Sequence, residues 1–189
     1  MPGLVVYKHA GMRVTRSFAF LDLCGFTAYT EAHGDDAAVA VLSRLRVLLR
    51  AEAERRGVRV TKWLGDGVML SGIDPEAVVA CSAAVRDDVG ASSPLPLRGG
   101  IAEGAVIMFE GDDYVGAAPN LAARLCHTAG ANQILVEAEM AKGLAGTAVA
   151  TRPLPSVQVP GLAGLIAVHE VPGSGEDRQF APVTRLRTG

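Results

Sequence analysis

The chain has 189 residues, of which 49% are apolar and 5% aromatic, and this fits one ordinary domain with a core built mostly from Ala, Val and Leu. A formal net charge of -2 without a basic block argues against nucleic acid as the main partner, because such binding rests on phosphate neutralisation. Cys24, Cys81 and Cys126 are widely spaced and form no CxxC or Cys/His cluster, so they read as small core thiols of a reducing, cytoplasmic compartment rather than as a disulfide framework or a zinc site.

Residues 1–16 show no strong periodicity and read as a lead-in. Lys8, His9 and Arg13 interrupt its short apolar pieces, so neither a signal peptide nor a membrane span is expected. The first strand runs from about Ser17 to Leu23, apolar enough to be buried on both faces. A short helix over Phe26 to Ala32 breaks at Gly34, and a long one follows from Asp35 to Arg56. That helix carries Val41, Leu45, Leu48 and Leu49 on one stripe, with Ser43, Arg46, Arg50 and Glu54 on the wet face. Arg55 and Arg56 suit its negative end, and Gly57 is placed to cap it.

Val58 to Leu64 alternates, with Val58, Val60, Lys62 and Leu64 expected on one face. A Gly65-Asp66-Gly67 turn then leads into a strand through Val68, Met69 and Leu70, giving a hairpin with Asp66 at its tip. Asp74-Pro75-Glu76 is a helix start, and that helix continues to about Val89. Beyond a loop over Gly90 to Pro96, strands are expected over Leu97 to Ala102 and Ala105 to Phe109. A loop from Gly111 to Pro119 comes next, then a helix from Asn120 to Ala129 that places Asn120 and Arg124 on one face. Gln133 to Val136 reads as a strand and Glu137 to Leu144 as a helix, with closing strands at Val157 to Val159 and Leu165 to Val171. Residues 173–189 read as a tail. His9, His33, His127 and His169 have no metal-ligand spacing and take a plain surface or core reading. Strands and helices alternate without a strict βαβ repeat, so the expected fold is an α/β (α+β) sandwich with a mixed, mostly antiparallel sheet resembling the ferredoxin-like palm.

Two carboxylates stand out in this order. Asp22 closes the apolar run Phe18-Ala19-Phe20-Leu21, and desolvating it is costly without a positive partner. Asp66 in the glycine turn implies a shared divalent cation. Removing either is expected to leave the fold intact, because repulsion between the two is relieved. Between them the loop Cys24-Gly25-Phe26-Thr27 enters a helix, so its backbone amides can cradle a polyphosphate.

The blocks Phe20-Leu21-Asp22-Leu23-Cys24-Gly25-Phe26-Thr27, Lys62-Trp63-Leu64-Gly65-Asp66-Gly67 and Asp113-Tyr114-Val115-Gly116-Ala117-Ala118-Pro119-Asn120-Leu121-Ala122-Ala123-Arg124-Leu125 resemble the signature blocks of class III nucleotidyl cyclases. The likeness spans roughly Ser17 to Val171, within an expected catalytic domain over 17–172, and the short Glu110-Gly111-Asp112-Asp113 connection is similar to that of actinobacterial members. The resemblance implies that Asp22 and Asp66 hold two Mg²⁺ or Mn²⁺ ions spanning a triphosphate. It implies that Lys62 and Asp113 read adenine, that Asn120 positions the ribose, and that Arg124 meets the charge developing on the α-phosphate. Arg98 matches a further phosphate-binding arginine, and Gly25, Phe26 and Thr27 remain the expected main-chain cradle for the phosphates. Pro160 stands where family members often carry a basic residue. The implied activity is conversion of ATP to cyclic AMP and pyrophosphate at sites shared across a homodimer. The alternative is a silent, nucleotide-sensing domain of the same fold.

Overall fold

A computed structural model of the chain describes residues 12–109 and 113–174. The lead-in over 1–11 with His9, residues 110–112 of the short connection, and the tail beyond Ser174 lie outside the described residues. The elements in order are β1 (Met12–Leu23), α1 (Phe26–His33), α2 (Asp35–Arg56), β2 (Arg59–Leu64), β3 (Gly67–Gly72), α3 (Pro75–Ser92), β4 (Leu97–Phe109), β5 (Asp113–Val115), α4 (Ala117–Thr128), β6 (Ile134–Glu137), α5 (Ala138–Gly143), β7 (Arg152–Gln158) and β8 (Leu165–Glu170). The strands form one eight-stranded sheet in the order β2-β3-β1-β4-β6-β8-β7, with β5 attached to β4. The β4–β6 pair is parallel and the other pairs are antiparallel. The mixed, mostly antiparallel α/β sandwich is therefore the architecture.

Side chains alternate across the pleat and so build a core on each face. On one face Ala19, Leu21, Val68, Leu70 and Ile101 pack with Leu45, Leu49, Val78 and Val85 of α2 and α3. On the other, Phe18, Met69, Ala102 and Val106 pack with Ala118 and Ala122 of α4. Gly100 makes that second contact possible: a Cβ there would lie 2.6 Å from the Leu125 carbonyl carbon and closer still to the Cys126 and Ala122 main chain. Helix α2 ends as expected, with Gly57 at φ 65° and its N–H bonded to the Ala53 and Glu54 carbonyls.

Several expectations need correction. β1 begins at Met12 rather than near Ser17, because the ladder with β4 runs from Met12↔Met108 to Leu23↔Leu97 and carries the polar start of the strand. β4 is one strand over 97–109, not two. The same ladder pairs Ser17 with Glu103 and Arg16 with Gly104, and the Ser17 hydroxyl donates to Glu103 Oε2 at 2.7 Å. β5 lies where a loop was expected, and α4 begins at Ala117 rather than Asn120. Pro119 falls in its first turn, where a missing N–H costs nothing. α3 runs on through Gly90, and β7 starts at Arg152 despite Pro153 and Pro155, which an edge strand tolerates. The register of β2 on β3 shifts between Val60 and Lys62. Val58, Val60 and Trp63 therefore face the α2/α3 core, while Lys62 lies on the α4 face; the expected common face for Val58, Val60 and Lys62 is wrong. Arg46 and Arg50 are not simply solvated either, since their guanidinium carbons sit 4.9 and 5.6 Å from the centroid of Trp63.

Candidate functional site

β1 ends against the hairpin turn because Asp22 pairs with Gly67 on one side and with Arg98 on the other. The turn needs its glycines here: Gly65 has φ 70°, and a Cβ on Gly67 would lie 3.2 Å from Asp22 Oδ1. Arg98 donates to Asp22 Oδ2 from Nε at 3.0 Å and from Nη2 at 2.6 Å, so the arginine expected on phosphate is tied to the first aspartate. The Asp22 side chain is 24% exposed, and a charge-assisted bond in that setting is among the stronger ones. Among the described residues Asp66 receives no such pair. Burial pushes its carboxyl above the ordinary range, and the charge of Asp22 adds to the rise against the opposing effects of a backbone amide and Arg98. Two close oxygen donors, one of them short of positive charge, fit a hard divalent cation of the Mg²⁺ or Mn²⁺ kind. Among the described residues no group of three or more His, Cys, Asp and Glu gathers to hold a metal, so further oxygen ligands would come from phosphate, main chain or water.

On the α4 face, Lys62 and Asp113 form an ion pair at the wall of a cavity of about 310 Å³ that Asn120 also lines. Phe20, Met69, Tyr114, Pro119 and Ala123 complete its lining. Sequence reasoning gave these five no role, although the apolar Phe20 beside Asp22 was a usable signal. The register shift in β2 puts Lys62 in this cavity, and β5 fixes Asp113 by pairing it with Phe109. An adjoining cavity of about 190 Å³ shares Phe20 and Ala123 and reaches Asp22 and Gly67. A larger one of about 570 Å³ lies along α3, away from all these residues, where alanines of α3 alternate with charged side chains such as Arg56, Glu76 and Arg86.

Arg124 lies a turn beyond Asn120 on α4 but does not line the cavity with it; it donates to the Pro160 carbonyl oxygen. Gly25 takes φ 78° at the N-cap of α1, where no side chain caps the helix. The first-turn amides of Phe26 and Thr27 are thus left for an acceptor from outside the helix. Burial pushes the Cys81 thiol up to about 11 and the Cys126 thiol up to about 12, as inert core thiols require.

No family model matches the sequence. The chain is 35% identical over 128 residues to the uncharacterized protein Rv2212 of Mycobacterium tuberculosis, and 30% identical over 129 residues to an adenylate cyclase of Streptomyces coelicolor. These matches cover 67% and 68% of this chain but 34% of each relative, so the chain spans about a third of the length of the curated relatives it matches. Among solved structures, it superposes on the adenylyl cyclase CyaB from P. aeruginosa with a TM-score of 0.77 at 26% identity, covering 88% of this chain and 97% of that one. On the guanylyl cyclase Cya2 the TM-score is 0.75 at 25% identity, with 88% and 96% covered.

Proposed function

This chain belongs with the class III nucleotidyl cyclase catalytic domains, whose architecture it shares, and on that premise we propose that it is an adenylate cyclase. In the proposed reaction the ribose 3′-oxygen of ATP attacks the α-phosphorus, the bond to the bridging oxygen of the β-phosphate breaks, and cyclic AMP and pyrophosphate leave. The proposed setting is intracellular signalling in the cytoplasm, with two equivalent sites shared across a homodimer. Among the described residues no helix is long and apolar enough to cross a membrane.

The observation that carries this reading is the cavity that gathers Lys62, Asp113 and Asn120. Lys62 and Asp113 satisfy each other there, so a base that separates them must return an acceptor to the ammonium and a donor to the carboxylate. Adenine does so with a ring nitrogen and its exocyclic amine, whereas guanine presents an oxygen and a ring N–H in the opposite sense. Asn120 can orient the ribose from the same wall, and Arg124 can meet charge developing on the α-phosphate. The uncapped start of α1 offers Gly25, Phe26 and Thr27 main chain to the remaining phosphates, and Arg98 adds a cation beside Asp22. Asp22 and Asp66 would hold the two divalent ions. When bound, these would lower the pKa of the 3′-hydroxyl and neutralise the departing pyrophosphate.

Purified protein given MnATP, MgATP or the GTP salts should form cyclic AMP and little cyclic GMP. Lys62→Glu combined with Asp113→Cys should lower the ATP:GTP rate ratio at least tenfold. An unchanged ratio removes the adenine assignment. Nucleotide binding without any cyclic product from the parent protein favours the silent, nucleotide-sensing alternative, to which the absence of a basic side chain at Pro160 lends some weight.

A further inference from the structure

The turn between β7 and β8 is held against α4. Val159 is fully buried in a cluster with Leu125, the residue after Arg124, and with Leu135 and Val168. The turn closes with the Leu162 N–H bonded to the Val159 carbonyl at 3.1 Å. Arg124 reaches across to this turn and donates through Nη1 to the Pro160 carbonyl oxygen. Gly161 follows, and a Cβ placed on it would lie 3.0 Å from Arg124 Cζ, 3.1 Å from Nη2 and closer still to Nη1. The guanidinium therefore rests on bare main chain.

Two glycines of this turn have the same left-handed backbone, Gly161 at φ +77° and Gly164 at φ +79°, but a Cβ on Gly164 would meet nothing within 4 Å. Backbone conformation explains both glycines, and space for Arg124 is a requirement of Gly161 alone. Among the described residues Arg124 makes no ion pair with a carboxylate. A neutral carbonyl fixes the plane of the guanidinium with one of its five donors and leaves its charge for an anion.

We propose that the Pro160–Gly161 main chain orients the Arg124 guanidinium, and that Gly161 is a positioning residue for the reaction because a side chain there displaces that group. This rests on reading Arg124 as the group that meets the α-phosphate. Position 160 then contributes through its carbonyl, which a proline supplies as well as a basic residue does.

The test compares Gly161→Ala with Gly164→Ala, each alone and in an Arg124→Ala background. Gly164→Ala carries the same backbone penalty and should leave kcat and KM near the parent values. Gly161→Ala should lower kcat roughly tenfold to a hundredfold, the range expected when a reacting geometry is displaced by about an ångström, with KM for ATP within about twofold and a melting temperature like that of Gly164→Ala. In the Arg124→Ala background, Gly161→Ala should cause no further fall. Equal kinetics for the two glycine variants, or additive losses with Arg124→Ala, overturn the proposal. A second readout needs no turnover: the Arg124 Nε–H cross-peak in a ¹H–¹⁵N spectrum, assigned by its loss in Arg124→Ala, should shift or broaden in Gly161→Ala and stay in place in Gly164→Ala. A cross-peak unmoved in both overturns the proposal even if the parent makes no cyclic nucleotide, whereas absent product with a displaced cross-peak overturns only the cyclase reading.

Discussion

Asp22 and Asp66 were expected to share one task and one response to mutation, yet their surroundings differ. Asp22 accepts two bonds from Arg98, so its removal strands a partly buried guanidinium instead of relieving repulsion. Losing charge-assisted bonds of this kind costs about 1–3 kcal/mol, which for a domain of this size lowers Tm by roughly 3–10 °C. Asp66 is the opposite case. Its folded-state pKa lies above the unfolded one, first because of burial, so the native state holds this proton more tightly than the unfolded chain. Metal-free stability from this group therefore falls as pH rises from the ordinary aspartate range through the folded value. In chelator at neutral pH, Asp66→Asn should raise Tm by about 1–2 °C, a small gain because solvent screens a partly exposed group, while Asp22→Asn lowers it; both should lose turnover. Calorimetry across pH 4 to 8 reads both effects. Shifts of the same sign in the two variants refute this assignment of partners.

At the scale of elements, the sequence was most legible where a signal is local. Gly57 behind Arg55-Arg56, Asp74 before Pro75, and the glycines around Asp66 each act through their own main chain, and α2, α3 and the hairpin stop or start where they direct. Pairing across the sheet was not legible. Nothing local shows that β1 keeps Glu103-Gly104 inside β4, or that β2 slips between Val60 and Lys62 and so turns the lysine to α4. Candidate site residues could therefore be proposed from their blocks, but the Arg98–Asp22 and Arg124–Pro160 contacts, made across elements, could not. The α4 contact shows the same dependence. A single methyl on Gly100 meets helix backbone, which cannot rotate aside as a side chain would. Gly100→Ala should cost about 3 kcal/mol, the upper end of ordinary overpacking, and loosen the wall that carries Asn120. Gly143→Ala, where a Cβ meets nothing within 4 Å, should change stability by less than about 1 kcal/mol. Denaturant midpoints for the two variants check this, and equal midpoints would mean that α4 does not lean on Gly100.

For the whole molecule, the proposed homodimer makes a demand that no monomer meets. Met12, Phe109 and Val115 are 57%, 39% and 60% exposed and lie at one end of the sheet, where β1, β4 and β5 run together beside Asp113. Exposed apolar side chains in that position favour a covered end. If each site takes Asp22 and Asp66 from one copy and Lys62, Asp113, Asn120 and Arg124 from the other, two-fold symmetry makes two such sites per dimer. Asp22→Ala and Arg124→Ala should each keep only a small residual activity alone. In a mixed dimer one site collects both lesions and the other none, so mixing the two proteins should restore activity approaching one intact site per heterodimer. A random equal mixture holds heterodimers in about half of its dimers, which sets the ceiling at roughly a quarter of the parent rate per chain. Restored activity should also rise with total protein concentration, as association by mass action requires. Subunit exchange is checked in the same tubes by pulling down one tagged variant with the other. If exchange is complete and the mixture stays at that residual activity, the six residues act within one chain and the shared-site arrangement is wrong.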